Sequence, residues 1–137
     1  EVCNIGLVAR QVASANISIA RAGQWPMVLA DPSRLRQLLD VIFTVVGTGT
    51  VRARSMGDMC IITVESKAKA SHETRALWIK AIKGEATKEY LGLRIARLLA
   101  EVHGGTLELD PHAAAGSRFH IRIPLAQQMS LLGAPIG

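Results

Sequence analysis

Aromatic side chains are scarce in this 137-residue chain: two Trp, one Tyr and two Phe make up 4% of it. Single-stranded nucleic acid is gripped on aromatic platforms, and nucleic-acid modules carry recognisable motifs. Neither is present, which sets nucleic acid aside as a partner. Cysteine is scarcer, with only Cys3 and Cys60. Two thiols so far apart make no metal-ligand spacing and no disulfide framework, so they read as buried, reduced side chains. No apolar run approaches the ~18–20 residues that cross a bilayer. The opening Glu1-Val2-Cys3-Asn4 has neither the basic nor the apolar region of a secretory signal. The expectation from these absences is a cytoplasmic chain that makes no membrane contact through this segment.

What is present is apolar bulk and localised charge. Apolar residues are 49% of the chain, the content and size of one domain with a sizeable core. The net charge of +5 is unevenly spread. Residues 67–97 hold Lys67, Lys69, Arg75, Lys80, Lys83, Lys88, Arg94 and Arg97 against Glu73, Glu85 and Glu89, and carry the whole excess. A positive field confined to one segment favours an acidic or phosphorylated partner.

Periodicity places the elements. Leu7, Val8, Val12 and Ala15 share one side of a short helix from Gly6 to about Asn16. Ile17–Ala20 and Met27–Ala30 flank the turn residues Gly23-Gln24-Trp25-Pro26 and read as a hairpin. Asp31-Pro32-Ser33 is a helix start, with an oxygen-bearing cap and proline where its missing N–H costs nothing. Leu35, Leu38, Leu39, Ile42, Phe43 and Val46 then follow at the spacing of a wide buried stripe, which Gly47-Thr48-Gly49 ends. Residues 51–54 and 60–65 form a second hairpin around Met56-Gly57-Asp58. Residues 66–88 lack a clean period and read as a long loop with a short turn at Leu77-Trp78-Ile79. Leu91, Ile95, Leu98, Leu99 and Val102 make another helical stripe, stopped by Gly104-Gly105. Two strands close the domain at 106–109 and 118–123, and residues 125–137 read as a tail or linker. Three helices on one face of a mixed, mostly antiparallel sheet give a two-layer α/β sandwich over residues 1–124, with the other sheet face left to solvent.

Three stretches resemble one family, in its order. Ala30-Asp31-Pro32-Ser33-Arg34-Leu35-Arg36-Gln37-Leu38-Leu39 is similar to the opening of the N-box helix in the ATP-binding domain of sensor histidine kinases. Leu91-Gly92-Leu93-Arg94-Ile95-Ala96-Arg97 with Glu101-Val102-His103-Gly104-Gly105-Thr106 resembles its second glycine box and last helix. Gly116-Ser117-Arg118-Phe119-His120-Ile121-Arg122-Ile123-Pro124 resembles its closing strand. The resemblance implies the Bergerat-type fold, with the nucleotide lying under a mobile lid whose place residues 66–88 take.

The family's nucleotide ligands are a separate matter. Its Mg²⁺-binding asparagines fall at Val41 and Val45, and valine supplies neither a carbonyl ligand nor an amide donor. The adenine-binding aspartate and its two glycines fall at Ser66, Ala68 and Ala70, and a neutral serine lacks the charge assistance that strengthens such a bond. The second glycine box keeps Gly92 alone, with Lys88 and Tyr90 at the other glycine positions. No aromatic-rich F box is evident, and Leu77-Trp78-Ile79 stands in its place. His72, His103, His112 and His120 are scattered without metal spacing, and His103 sits where it caps a helix end. Trp78 is either a core plug or an exposed interface anchor.

Each lost contact is worth roughly 1–3 kcal/mol, so joint loss moves a micromolar site to the millimolar range. The resulting expectation is a degenerate histidine-kinase-type domain of a two-component or phosphorelay protein, with no catalytic residue, no metal and no resident cofactor. It docks a receiver domain or a partner histidine kinase through Lys67, Lys69, Lys80, Lys83 and Lys88, in the manner of phosphotransferases that keep the kinase-like fold without ATP. The family dimerises through a phospho-accepting helical hairpin, and nothing like it is found in these residues. The alternative is a divergent but working Mg-ATP domain in which Glu65, Ser66 and Asp40 stand in. A third reading is a pocket retuned for another ligand by apolar Val41 and Val45.

Overall fold

The computed structural model describes residues 1–14, 16–20, 25–85, 90–110 and 117–126. In chain order the elements are β1 (Val2–Asn4), α1 (Ile5–Val12), β2 (Ile17–Ile19), β3 (Met27–Leu29), α2 (Pro32–Val46) and β4 (Gly49–Met56). There follow β5 (Met59–Ser66), α3 (His72–Lys83), α4 (Leu91–Val102), β6 (Thr106–Leu109) and β7 (Arg118–Pro124). The main sheet has the order β2-β4-β5-β7-β6; β2 joins β4 in parallel and every other pairing in it is antiparallel. The mixed sheet covered by helices on one face is the expected sandwich, with four helices instead of three.

The long stripe on α2 does what its spacing dictates. Leu35, Leu38, Leu39, Ile42 and Phe43 are buried, and they meet Val51, Ile62, Val64, Phe119, Ile121 and Ile123 from the covered sheet face in one core. The Asp31 carboxylate accepts from the N–H groups of Ser33 and Arg34 and caps the helix. His103 ties this end of α2 to the end of α4. Its Nε2 accepts from the Asp31 N–H at 3.1 Å. That leaves Nδ1–H to donate to the Leu99 carbonyl at 2.7 Å, so the tautomer is fixed by its partners.

Four sequence expectations need correction. The hairpin of residues 17–20 with 27–30 does not form: β2 pairs with the start of β4, and β3 pairs antiparallel with β1. Turn chemistry bends a chain without choosing its partner, and the segment after this turn is drawn to α1, where the Trp25 ring lies over Gly6. The stretch 66–88 contains a helix of 12 residues, α3, instead of a loop with one turn. Its Ser71 cap accepts from the Thr74 N–H at 3.1 Å. Gly84 closes it in the left-handed region, with its N–H and that of Glu85 turned back to Ala81 and Lys80 carbonyls. Only Trp78, Ala81 and Ile82 are buried on it, a stripe too narrow to stand out in the sequence.

The third correction is α4, which turns its small residues inward. Leu93, Ala96 and Ala100 are buried, whereas the stripe residues Leu91, Ile95, Leu98 and Val102 are exposed. The last concerns the carboxyl end: Leu125 and Ala126 are buried, and their N–H groups donate to the carbonyls of Asp58 and Met27, so the packed body continues past Pro124.

Both cysteines are buried and unbridged, and burial pushes the Cys60 thiol up to about 12. Among the described residues, no helix is long and apolar enough to cross a membrane.

These faces predict opposite outcomes for two leucine truncations. Leu38→Ala removes a side chain with no exposure and costs about 2–5 kcal/mol, read as a lower urea midpoint. Leu98→Ala on the solvent side of α4 stays within about 0.5 kcal/mol of the parent. A large loss at Leu98 overturns the assignment of α4's faces.

Candidate functional site

The residues that the resemblance puts at the nucleotide lie on α2, at the start of α4 and at the end of β5. Val41 and Val45 are one turn apart on α2, half-buried and packed against the core. Val41 reaches Gly92 directly: a Cβ on that glycine would stand 3.2 Å from a Val41 methyl. The glycine therefore serves close approach of α2 and α4, the helix pair in contact here.

Ser66 ends β5 on the covered face and is buried. Its hydroxyl accepts from the Ser117 N–H at 2.8 Å and donates to the Ala68 carbonyl at 2.9 Å. The Ser66 N–H in turn donates to the Ser117 carbonyl. The hydroxyl's single proton is thus committed to the chain's own backbone, and the pair of serines staples β5 to the start of β7. Ser117 was missed as a site residue, although it stands in the closing-strand motif. Among the described residues, its own buried Oγ and the buried indole Nε1 of Trp78 have no hydrogen-bond partner.

The second glycine box presents the same substitution in backbone terms. Tyr90 precedes α4 at φ 58° and ψ 30°, and among the described residues it is the sole non-glycine with positive φ. A bulky side chain in that region costs on the order of 1 kcal/mol. Its ring is held edge-on to Trp78 at a centroid distance of 6.0 Å. Trp78 also packs on Phe119 at 5.3 Å. Trp78 is buried, so it is the core plug and not an exposed anchor.

Of the three stand-ins, Glu65 and Ser66 line one cleft from opposite faces of β5, and Asp40 lies apart. Glu65 points to the open sheet face, where Arg118 donates to it at 3.0 Å and Arg52 at 3.2 Å. These guanidiniums, Arg118 foremost, hold its carboxyl below the usual range. Asp40 lines a small cleft between α1 and α2 with Val12, Ser14, Phe43, Thr44 and Gly47. A cleft of about 580 Å³ does open at the ends of β2, β4 and β5, lined by Asn16, Ser18, Thr48, Gly49, Thr50, Glu65, Ser66 and Lys67. Val41, Val45 and Gly92 take no part in its lining.

The basic residues divide between two places. Lys67 and Lys69, with Ala68, are exposed in the turn after β5, and Lys80 and Lys83 are exposed on α3. Lys88 and His112 lie outside the described residues. His120 is engaged on the open face by Thr63 and Asp110. Among the described residues, no group of three or more His, Cys, Asp or Glu side chains is gathered to hold a metal.

No family model matches the sequence. The sensor histidine kinase ZraS of Klebsiella oxytoca is 27% identical over an alignment of 137 positions, which covers 91% of this chain. The chain spans 30% of that relative's length. Among solved structures, the catalytic domain of the histidine kinase ThkA, in a nucleotide-free form, superposes with a TM-score of 0.72 at 21% identity, covering 91% of this chain and 96% of its own. The mycobacterial sensor histidine kinase MprB gives 0.68 at 18%, covering 91% and 97%. The ATP-binding domain of PrrB from Mycobacterium tuberculosis gives 0.68 at 18%, covering 90% and 96%. With the mixed sheet, the α2 stripe and the three motifs in order, these likenesses establish that the chain has the fold of the ATP-binding catalytic domain of sensor histidine kinases.

Proposed function

We propose that this chain is the histidine-kinase-type domain of a two-component sensor protein and that it serves as a docking module without binding ATP. One observation supports the reading: side chains at the positions where the resemblance puts nucleotide ligands are engaged with the chain itself. Val41 fills the side of α2 against Gly92, the Ser66 proton is spent on Ala68, and Tyr90 packs its ring onto Trp78. Val41, Val45, Ala68 and Ala70 offer no polar side-chain atom, and Mg²⁺ requires oxygen ligands. Among the described residues, this donor set therefore does not fit Mg-ATP.

The partner in this reading is a receiver domain or a second histidine kinase. Lys67, Lys69, Lys80 and Lys83 are exposed and, with Lys88, belong to the stretch that carries the chain's excess positive charge. Such a field speeds and orients encounter with an acidic surface more than it tightens the final complex. In a parent protein of kinase-like organisation, a helical hairpin would supply the phosphoryl-carrying histidine and the dimer contact.

Two measurements test the two halves of the proposal. Isothermal titration of Mg-ATP into the chain, with ADP as control, gives no heat up to millimolar ligand; binding in the micromolar range overturns the closed pocket. In the second, Lys80→Glu with Lys83→Glu lowers the association rate with a receiver domain that binds the parent chain by about tenfold or more at low salt, and by less at high salt. An unchanged rate removes these lysines from the docking surface.

A further inference from the structure

The cleft at the ends of β2, β4 and β5 has a volume of about 580 Å³, within the ~300–1,000 Å³ of small-molecule sites. Its floor is one cross-strand row. Ser18 stands opposite Thr50, Thr50 opposite Glu65, and Glu65 opposite Arg118, and residues opposite each other in a sheet share a face. Their neighbours Ile17, Val51, Val64 and Phe119 are in the core, so by alternation the row faces outward. Two residues further along each chain come Asn16, Thr48 and Lys67, tied together by backbone. The Gly49 N–H donates to the Asn16 carbonyl at 3.1 Å, and the Lys67 N–H to the Thr48 carbonyl at 2.8 Å. Gly49 lets these chains close up, since a Cβ there would overlap the Glu65 carbonyl.

The side chains of this cleft are largely uncommitted. The Asn16 amide, the Ser18, Thr48 and Thr50 hydroxyls and the Lys67 ammonium make no hydrogen bond or ion pair among the described residues. Among those residues, Glu65 is the sole acidic and Lys67 the sole basic side chain in the lining, and no apolar side chain takes part. An apolar ligand therefore gains nothing here. Each Glu65 oxygen already takes one guanidinium N–H, from Arg52 at 3.2 Å and from Arg118 at 3.0 Å. A carboxylate has about four acceptor positions, so Glu65 keeps room for neutral O–H donors. An amine in their place would stand against two guanidiniums, and a second negative charge would stand against the carboxylate itself. Lys67 brings one full positive charge, which matches one carboxylate and falls short of a phosphate dianion.

We propose that this cleft binds a small hydroxycarboxylate, with the ligand's carboxylate on Lys67 and the Thr48 hydroxyl and its own hydroxyls on Glu65, Ser18 and Thr50. The place differs from the one the resemblance gives to a nucleotide, since Val41, Val45 and Gly92 take no part in the lining. Ser66 borders the cleft with its hydroxyl proton committed to Ala68. The site is independent of docking, which is tested at Lys80 and Lys83.

The test titrates the isotope-labelled 137-residue chain with gluconate and follows its amide chemical shifts, with glucose, hexanoate and inorganic phosphate as comparisons. Gluconate gives saturable shifts centred on Thr48, Thr50 and Lys67, with a Kd of about 1 mM or below. Glucose lacks the carboxylate and hexanoate lacks the hydroxyls, and each binds roughly tenfold more weakly or worse. Lys67→Gln and Thr50→Val each weaken gluconate severalfold, Lys67→Gln by roughly tenfold, with the thermal midpoint kept. The proposal is overturned by shifts that do not saturate by about 20 mM or that centre elsewhere. Equal binding of glucose or hexanoate, tighter binding of phosphate, or indifference to Lys67→Gln overturns it as well. None of these results bears on the receiver-domain measurement, so either proposal can fail while the other stands.

Discussion

The insertion of one face of α2 into the sheet is the constraint on which the other parts depend. Five of its side chains are buried, and opposite them the covered faces of β4, β5 and β7 supply aliphatic residues and Phe119. Everything nearby takes its place from that contact. The parallel entry of β2, the seating of α4 against Val41 and the His103 link to the Asp31 N–H all presuppose α2 in position. The docked α2 also decides which ends of β5 and α4 face each other, and hence where a ligand could lie at all.

The sequence is most legible where a single element carries its own signal. The α2 stripe, its aspartate cap and its glycine stop are all local, and the structure has them as read. The same holds for the β4–β5 and β6–β7 hairpins. Legibility fails where the outcome depends on remote partners. Strand β3 and its partner β1 have three residues each, too few to show a period. Helix α3 buries three side chains, is capped at both ends and rests Trp78 on Phe119. Helix α4 is instructive in another way. Its period was plain, but a stripe's spacing fixes the helix and not the direction in which the stripe points, and here alanines suffice for the tight seat under α4.

The candidate site shows the same division. That valines, serine, alanines and tyrosine stand where the resemblance puts nucleotide ligands is visible in the sequence. How these residues are employed is not. Ser66 could have been an idle polar group; it is half of a staple with Ser117. Tyr90 could have been displaced outward; it holds a backbone conformation suited to glycine while its ring fills space beside Trp78. In both cases a group that would face a ligand has been turned to internal cohesion.

The open face of the sheet has a consequence for how the domain can be assembled. Glu65 spans Arg52 and Arg118, Arg122 meets Glu108 and Asp110 meets His120, so this wall is a lattice of polar contacts with arginine in excess. To lay another sheet or helix on it, water must be stripped from these charged groups, with little apolar area gained in exchange beyond that of Met56. The helix layer is under no such penalty. The domain is thereby polarised like a tile with one glazed side, and an apolar partner meets less resistance on its helix layer than on this wall.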